Sequence, residues 1–224
     1  MTYPQVISAV FMNRPNRFIA NCLVQGQETV CHVKNTGRCK ELLVPGCTVY
    51  LTPGMNPTRK TPYDLIGVEH EGQIVNIDSM APNAAVAEWL PTFLPQGAEI
   101  RGEYKFGDSR MDFYAKAGNQ EYLLEVKGVT LQRDGVALFP DAPTTRGVKH
   151  LRELTRAVAQ GIPCYVVFVI QMKGVTHFSP NTQTDPAFAK ALQEADSAGV
   201  KIVAMDCTVT PDSMTLDQQV PVKL

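Results

Sequence analysis

No apolar run in this 224-residue chain approaches the roughly 18 residues a membrane span requires, which excludes a membrane-spanning helix. The segment Met1–Val10 lacks the basic start and apolar core of a signal peptide, so a cytoplasmic location is expected. None of the six cysteines (22, 31, 39, 47, 164, 207) forms a CxxC pair, which argues against a zinc knuckle. With no secretory signal they read as reduced thiols, and Cys22, Cys164 and Cys207, in apolar stretches, read as small core residues. The four histidines (32, 70, 150, 177) lack HxxxH or HExxH spacing. Internal repeats and low-complexity segments are absent.

Net charge is also nearly absent: 21 Lys and Arg against 22 Asp and Glu give −1. Taken whole, that figure argues against a nucleic-acid partner. Taken along the chain, it does not. Residues 1–60 hold seven basic and two acidic side chains, and residues 61–143 six basic and thirteen acidic. Residues 144–180 hold five basic and one acidic, and residues 181–224 three basic and six acidic. The blocks carry +5, −7, +4 and −3. Basic blocks attract phosphates, and clustered carboxylates can hold a hard divalent cation.

The first 80 residues read as short strands between polar turns: Val6–Met12, Arg17–Gln25, Thr29–Lys34, Thr48–Thr52, Leu65–Glu69 and Gln73–Ile77. Arg14-Pro15-Asn16 and Asn35-Thr36-Gly37 are expected turns, and residues 53–62 a loop. This pattern predicts a small β-barrel or sandwich. Asn83–Leu90 predicts a helix capped by Asn83 and ended by Pro91 and Pro95, a natural domain joint. Ile100–Phe106, Met111–Ala115, Glu121–Val126 and Val136–Phe139 then predict strands. A helix follows over 145–160, with Val148, Leu151, Leu154 and Val158 as its apolar stripe, Thr145 as N-cap and Gly161 after its end. Pro163–Ile170 reads as a buried strand, Pro186–Ala198 as a helix and Val200–Met205 as another buried strand. The expected architecture is a two-domain α+β or α/β chain: residues 1–82 a β-domain, residues 83–224 a mixed-sheet domain.

One constellation carries chemistry. Asp112 precedes Glu125-Val126-Lys127 by thirteen residues. Glu125 and Lys127 share a strand face, and a turn at Gly118-Asn119 would bring Asp112 beside Glu125. Two carboxylates and a backbone carbonyl make an oxygen site suited to Mg²⁺ or Mn²⁺, with Lys127 placed to orient or help deprotonate a water. Those are the parts of metal-assisted phosphodiester hydrolysis. A rival triplet, Glu103-Tyr104-Lys105 with Asp78 upstream, lacks a simple hairpin to join it. Glu88 offers a third carboxylate from the preceding helix, and Asp141 a turn residue or a partner for a basic group. The helix over 145–160 bears Arg146, Lys149, Arg152 and Arg156 along one side, with Lys149–Glu153 its single i,i+4 pair. Such a ridge suits a phosphate backbone. His32, Lys34, Arg38 and Lys40 flank the turn at 35–37 and form a second grip, although few aromatic residues stand nearby for base stacking.

Val33-Lys34-Asn35-Thr36-Gly37-Arg38, Ser109-Arg110-Met111-Asp112-Phe113, Glu125-Val126-Lys127-Gly128-Val129-Thr130-Leu131, Phe139-Pro140-Asp141-Ala142 and Thr145-Arg146-Gly147-Val148-Lys149-His150-Leu151 together resemble the sugar fermentation stimulation protein A family (SfsA). The resemblance implies an N-terminal OB-like barrel and a C-terminal domain similar to PD-(D/E)XK nucleases. It implies DNA as the partner, without marked sequence preference, and a regulatory link to maltose and sugar use. It maps a catalytic set onto Asp112, Glu125 and Lys127, and a metal set onto Asp112, Glu125 and Glu88. Met111-Asp112 stands where the motif has Pro-Asp. Arg110 and His150, in the matching segments, join Lys34, Arg38, Lys40, Arg146, Lys149 and Arg152 as expected nucleic-acid contacts. Two other readings stand beside a metal-dependent nuclease: a non-enzymatic DNA-binding regulator on an inherited nuclease fold, and a metal-dependent phosphoesterase acting on a small substrate. No small organic cofactor and no membrane partner are expected.

Overall fold

A computed structural model describes residues 1–224 apart from Thr36, Met55 and Pro57. Thr36 falls in the turn expected at 35–37, and Met55 and Pro57 in the loop expected at 53–62. Both features therefore lie partly outside the described residues.

The first six strands are β1 (Ile7–Asn16), β2 (Ile19–Val24), β3 (Gln27–Val33), β4 (Thr48–Pro53), β5 (Tyr63–His70) and β6 (Gln73–Asn76). They pair in the order β3-β2-β1-β4-β5-β6, and a parallel β3–β5 pairing through His32–Asp64 and Val33–Leu65 closes the first five into a barrel. Closure removes exposed edges and buries the inward residues Phe11, Ala20, Cys22, Cys31, Val49, Leu51 and Leu65. The first hairpin turns at Arg17-Phe18, later than the Pro15 position expected. Register breaks at Asn13 and Asn16 let β1 run through Pro15, and Asn16 Oδ1 accepts the Phe18 and Ile19 amides at 2.9 and 3.1 Å, an Asx turn.

The second half is built from α1 (Ala81–Phe93), a meander β7 (Glu99–Phe106), β8 (Ser109–Ala117) and β9 (Gln120–Val129), a small sheet of β10 (Leu131–Arg133), β11 (Val136–Phe139) and β13 (His177–Pro180), α2 (Thr145–Ala159), β12 (Cys164–Ile170), α3 (Pro186–Ser197), β14 (Lys201–Thr210) and β15 (Ser213–Gln219). The main sheet runs β15-β14-β12-β9-β8-β7. β12 lies parallel to β9 and β14, while the outer pairs are antiparallel, so the sheet is mixed. Leu124, Val126, Val167 and Val169 face α1, whereas Leu123, Val166, Phe168 and Ile170 face α2 and α3. Buried on both sides, β12 has no room for alternation, which is why it reads as a continuous apolar run.

The helices depart from expectation in detail. α1 starts at Ala81, with Pro82 in its first turn, where the missing N–H costs nothing. Asn83 therefore does not cap it. Pro91 lies inside α1, on the solvent side, where the carbonyl it leaves unbonded can meet water. α2 is capped by Thr144, whose Oγ1 accepts the Gly147 amide at 3.0 Å, one residue earlier than expected. Gly161, at φ +82°, follows α2 in the left-handed conformation glycine tolerates.

The halves are fastened together at the site's edge. Gln171 Nε2 donates to the Asn76 and Asp78 carbonyls at 3.0 and 3.2 Å, and the Asn76 amide donates to the Gln171 carbonyl at 3.0 Å. All six cysteines are free, and all but Cys47 are buried. No helix among the described residues is long and apolar enough to cross a membrane.

Candidate functional site

The β8–β9 ladder runs from Ala117–Gln120 to Phe113–Leu124 and stops. The next position would face Asp112 against Glu125. There the strands part, and the Val126 amide donates to Asp112 Oδ2 at 2.8 Å. Asn83 of α1 donates its side-chain nitrogen to Asp112 Oδ1 at 2.9 Å. On the other side, β7 skips a pairing between Gly102–Phe113 and Tyr104–Met111. The residue skipped is Glu103, at φ +52°, in a region that non-glycine residues seldom occupy. Asp112 therefore sits where both neighbouring ladders are interrupted, and its carboxylate is held by two neutral donors.

Glu125 is 2% exposed. Its Oε1 receives the Lys127 ammonium and Nδ1 of His150, a buried residue of α2. Arg146, one turn earlier on α2, places Nε 3.4 Å from His150 Nε2. Arginine can only donate, so Nε2 is the acceptor and Nδ1 carries the proton that goes to Glu125. Both donors converge on Oε1. Glu125 Oε2 is buried and has no hydrogen-bond partner among the described residues.

The electrostatics of the two acids diverge. Burial, and then the neighbouring Glu125 charge, push the Asp112 carboxyl above its ordinary range. Burial alone would raise Glu125 as well, but His150 and Lys127 outweigh it and hold that carboxyl below the usual value. Glu125 Oε2 stays buried and unpartnered although Lys127 and His150 meet Oε1, and the Glu125 charge reaches Asp112, so a cation at Oε2 would relieve both acids. Two carboxylates suit a hard ion such as Mg²⁺, Mn²⁺ or Ca²⁺, which completes its shell with water or phosphate oxygens. Among the described residues, no three His, Cys, Asp or Glu side chains gather around one such point.

Glu88 does not join the pair. Its carboxylate takes the Met1 amine at 2.6 Å and is largely exposed, whereas the α1 residue that turns to Asp112 is Asn83. The rival triplet also disperses: Glu103 is exposed and pairs with Arg110 at 3.1 Å, while Asp78 is buried against Lys34 at 2.7 Å.

The expected nucleic-acid contacts divide into committed and available groups. Lys34 is spent on Asp78, His32 bonds Asp64 at 2.8 Å, and His150 is buried against Glu125, so none of these offers a free contact to a phosphate. Lys149 donates to the Asp108 carbonyl at 2.6 Å rather than to Glu153, and Glu153 instead pairs with Arg156 at 2.9 Å. Arg146 is exposed but bonds His150, while Arg152 is exposed with no ion pair among the described residues. Arg38 and Lys40 are exposed and share a concavity of about 300 Å³ with Arg14 and Arg17. Arg14 holds this rim together by donating to the Arg38, Arg17 and Asn35 carbonyls at 2.7, 2.6 and 2.8 Å. Asp141 accepts the Arg38 amide at 3.1 Å and so ties the barrel loop to the second domain. Not legible in the sequence were the Asn83–Asp112 and His150–Glu125 contacts and the places of Arg14 and Arg17 on this rim. The one available signal was their sequence proximity to residues already singled out.

A closed five-stranded OB-like barrel joined to a mixed-sheet domain, with a buried acid pair where the sheet opens, defines a two-domain class. The model described as "SfsA N-terminal OB domain" matches residues 12–77, and that described as "Sugar fermentation stimulation protein RE domain" matches residues 80–213. The chain belongs to the sugar fermentation stimulation protein family. It is 53% identical over 225 residues to the sugar fermentation stimulation protein homolog of Desulfitobacterium hafniense strain Y51, covering 100% of this chain and 99% of that one. It is 48% identical over 226 residues to the homolog of Clostridium beijerinckii, with 100% of both chains covered. The solved structure of Pyrococcus furiosus SfsA in complex with Ca²⁺ matches with a TM-score of 0.88 and 29% identity, over 100% of this chain and 98% of that one.

Proposed function

We propose that this protein binds DNA largely without regard to sequence, and that Asp112 and Glu125 hold a divalent metal in a nuclease-like phosphodiester-hydrolysing site. The observation that carries the reading is the buried, unpartnered Glu125 Oε2 on a carboxylate whose charge reaches Asp112. It is supported by the Ca²⁺ complex named for the Pyrococcus furiosus relative. The placement of an acid on the middle strand of the meander, and of a Glu-x-Lys triplet on the next, agrees with the PD-(D/E)XK-like pattern.

When bound, Mg²⁺ or Mn²⁺ supplies a Lewis acid for the phosphate and an acidified water. The chain's own residues would do the rest. Asp112, held by the Val126 amide and Asn83, and Glu125 Oε2 fix the ion's position. Lys127 stands on the same face as Glu125, where its ammonium can orient a water and offset charge building on the phosphate. Arg17, Arg38, Lys40 and Arg152 grip backbone phosphates, which position a strand without reading its sequence. Sugar or maltose regulation would follow from DNA binding.

The test incubates purified protein with plasmid, single-stranded and branched DNA in Mg²⁺ or Mn²⁺. Cleavage by the parent protein that is lost in Lys127→Ala supports the nuclease reading. One observation favours a second reading, a non-enzymatic DNA-binding regulator: α1 turns a neutral Asn83 to the site while Glu88 turns away. Retained DNA binding with no cleavage under any of these metals would favour that alternative.

A further inference from the structure

We propose that His150 is a positioning residue that fixes the plane of the Glu125 carboxylate, so that Oε2 faces the metal. The inference rests on the metal reading above and adds a residue to it.

The terminal torsion of a glutamate is broad and roughly two-fold, so a free carboxylate would not hold one oxygen in one place. In Glu125 both donors sit on Oε1 and none on Oε2. Two donors would ordinarily spread over both oxygens. Their convergence on one leaves the other bare and pointing elsewhere. Lys127 cannot set this asymmetry, because an ammonium on a flexible stem follows whichever oxygen is near. The imidazole can: it is rigid and buried, and Arg146 fixes it as an Nδ1–H donor.

The backbone around it is built to hold that ring. Gly147 lies one turn before His150 on α2. A Cβ there would come 2.9 Å from Thr144 Cγ2 and 3.1 Å from the Phe188 ring. The missing side chain lets α2 settle against α3, with Leu151 and Leu154 buried on the sheet. The sequence Thr144-Thr145-Arg146-Gly147-Val148-Lys149-His150 thus supplies the helix cap, the residue that sets the tautomer, the close approach and the donor in two turns.

The test uses the full-length, metal-free protein, titrated with Mn²⁺ and Ca²⁺ by calorimetry. Leu and Asn have nearly the same shape and differ in having a donor. His150→Leu is expected to weaken both ions by about 10-fold or more, the usual effect of losing a residue that orients a metal ligand. His150→Asn places an amide nitrogen near the Nδ1 position and is expected to stay within about threefold of the parent protein, on the same reasoning. Unchanged affinity in His150→Leu overturns the proposal, and so does an equal loss in both variants. Should His150→Leu not fold in a metal-free thermal melt, His150→Gln decides. Its nitrogen reaches the Nε2 position rather than Nδ1, so Gln must weaken binding relative to Asn, and parity between them overturns the clamp. If the parent protein binds neither ion, the metal reading fails and the clamp with it; binding unaffected by His150→Leu removes the clamp alone.

Discussion

Asn83 of α1 donates its side-chain amide to Asp112 Oδ1 at 2.9 Å, so the helix before the meander meets the acid pair with a neutral donor. Asp112 is already raised by burial and by Glu125. Asn83→Asp would set a third carboxylate against it. We expect the metal-free variant to lose about 2 kcal/mol, as buried like charges do. Mn²⁺ should restore much of the loss by pairing the added charge. Urea unfolding with and without Mn²⁺ measures both, and equal stability of variant and parent without metal contradicts the arrangement.

Gly128 follows Lys127 directly. A Cβ there would fall 2.5 Å from Gln171 Oε1 and 2.8 Å from Pro82 Cγ. Gln171 cannot give way freely, because its amide holds Asn76 and Asp78 of the first half. Gly128→Ala is expected to destabilise by about 1–3 kcal/mol through overpacking. Chemical denaturation reads this directly, and a neutral substitution would mean the joint is looser than these distances require.

Asp64 lies on β5 where the barrel closes. Arg59 reaches it at 2.6 Å and His32 at 2.8 Å. Burial alone would raise its carboxyl, but these two partners outweigh burial and hold it below the ordinary range. Asp64→Ala should cost about 2 kcal/mol at neutral pH, the scale of hydrogen bonds to a charged group. A depressed folded-state pKa contributes stability that is present above the unfolded value and lost as pH falls through the folded one. The gap between parent and variant should therefore be full at neutral pH and narrow once pH drops below about 4. A gap that is constant down to acid pH would show that the carboxylate charge is irrelevant.

On the proposed DNA-binding reading, affinity should fall steeply with salt, because the exposed basic groups would act as local phosphate grips on a chain of net charge −1. Replacing Arg17, Arg38 and Lys40 together by Ala should reduce the slope of log affinity against log salt by about 2–3, roughly one per lost phosphate contact. Lys34→Ala should lower stability and leave that slope alone, since Lys34 is committed to Asp78. Fluorescence anisotropy on duplexes of unrelated sequence checks both. A salt-independent affinity, or an equal slope change in Lys34→Ala, contradicts the assignment.

By itself the sequence determined the element types with strong periodicity. The α2 stripe, the apolar run of β12 and the alternating barrel strands declare themselves because burial acts on them locally. That Asp112, Glu125 and Lys127 would come together was likewise legible, since charges on an apolar strand need partners. The short strands β10 and β13 and the edge strand β15 were not: β10 and β13 are three and four residues long, β13 pairs with the distant β11, and β15 is largely exposed, so their own residues carry little pattern. The fate of each charge was not legible either. Spacing put Lys149 on Glu153, and the family resemblance put Glu88 with the acids and His150 with the phosphates. Tertiary structure sent Lys149 to Asp108, Glu88 to the Met1 amine and His150 to Glu125. Long polar side chains bind whatever the fold brings within about 3 Å, and that depends on contacts between residues far apart in sequence.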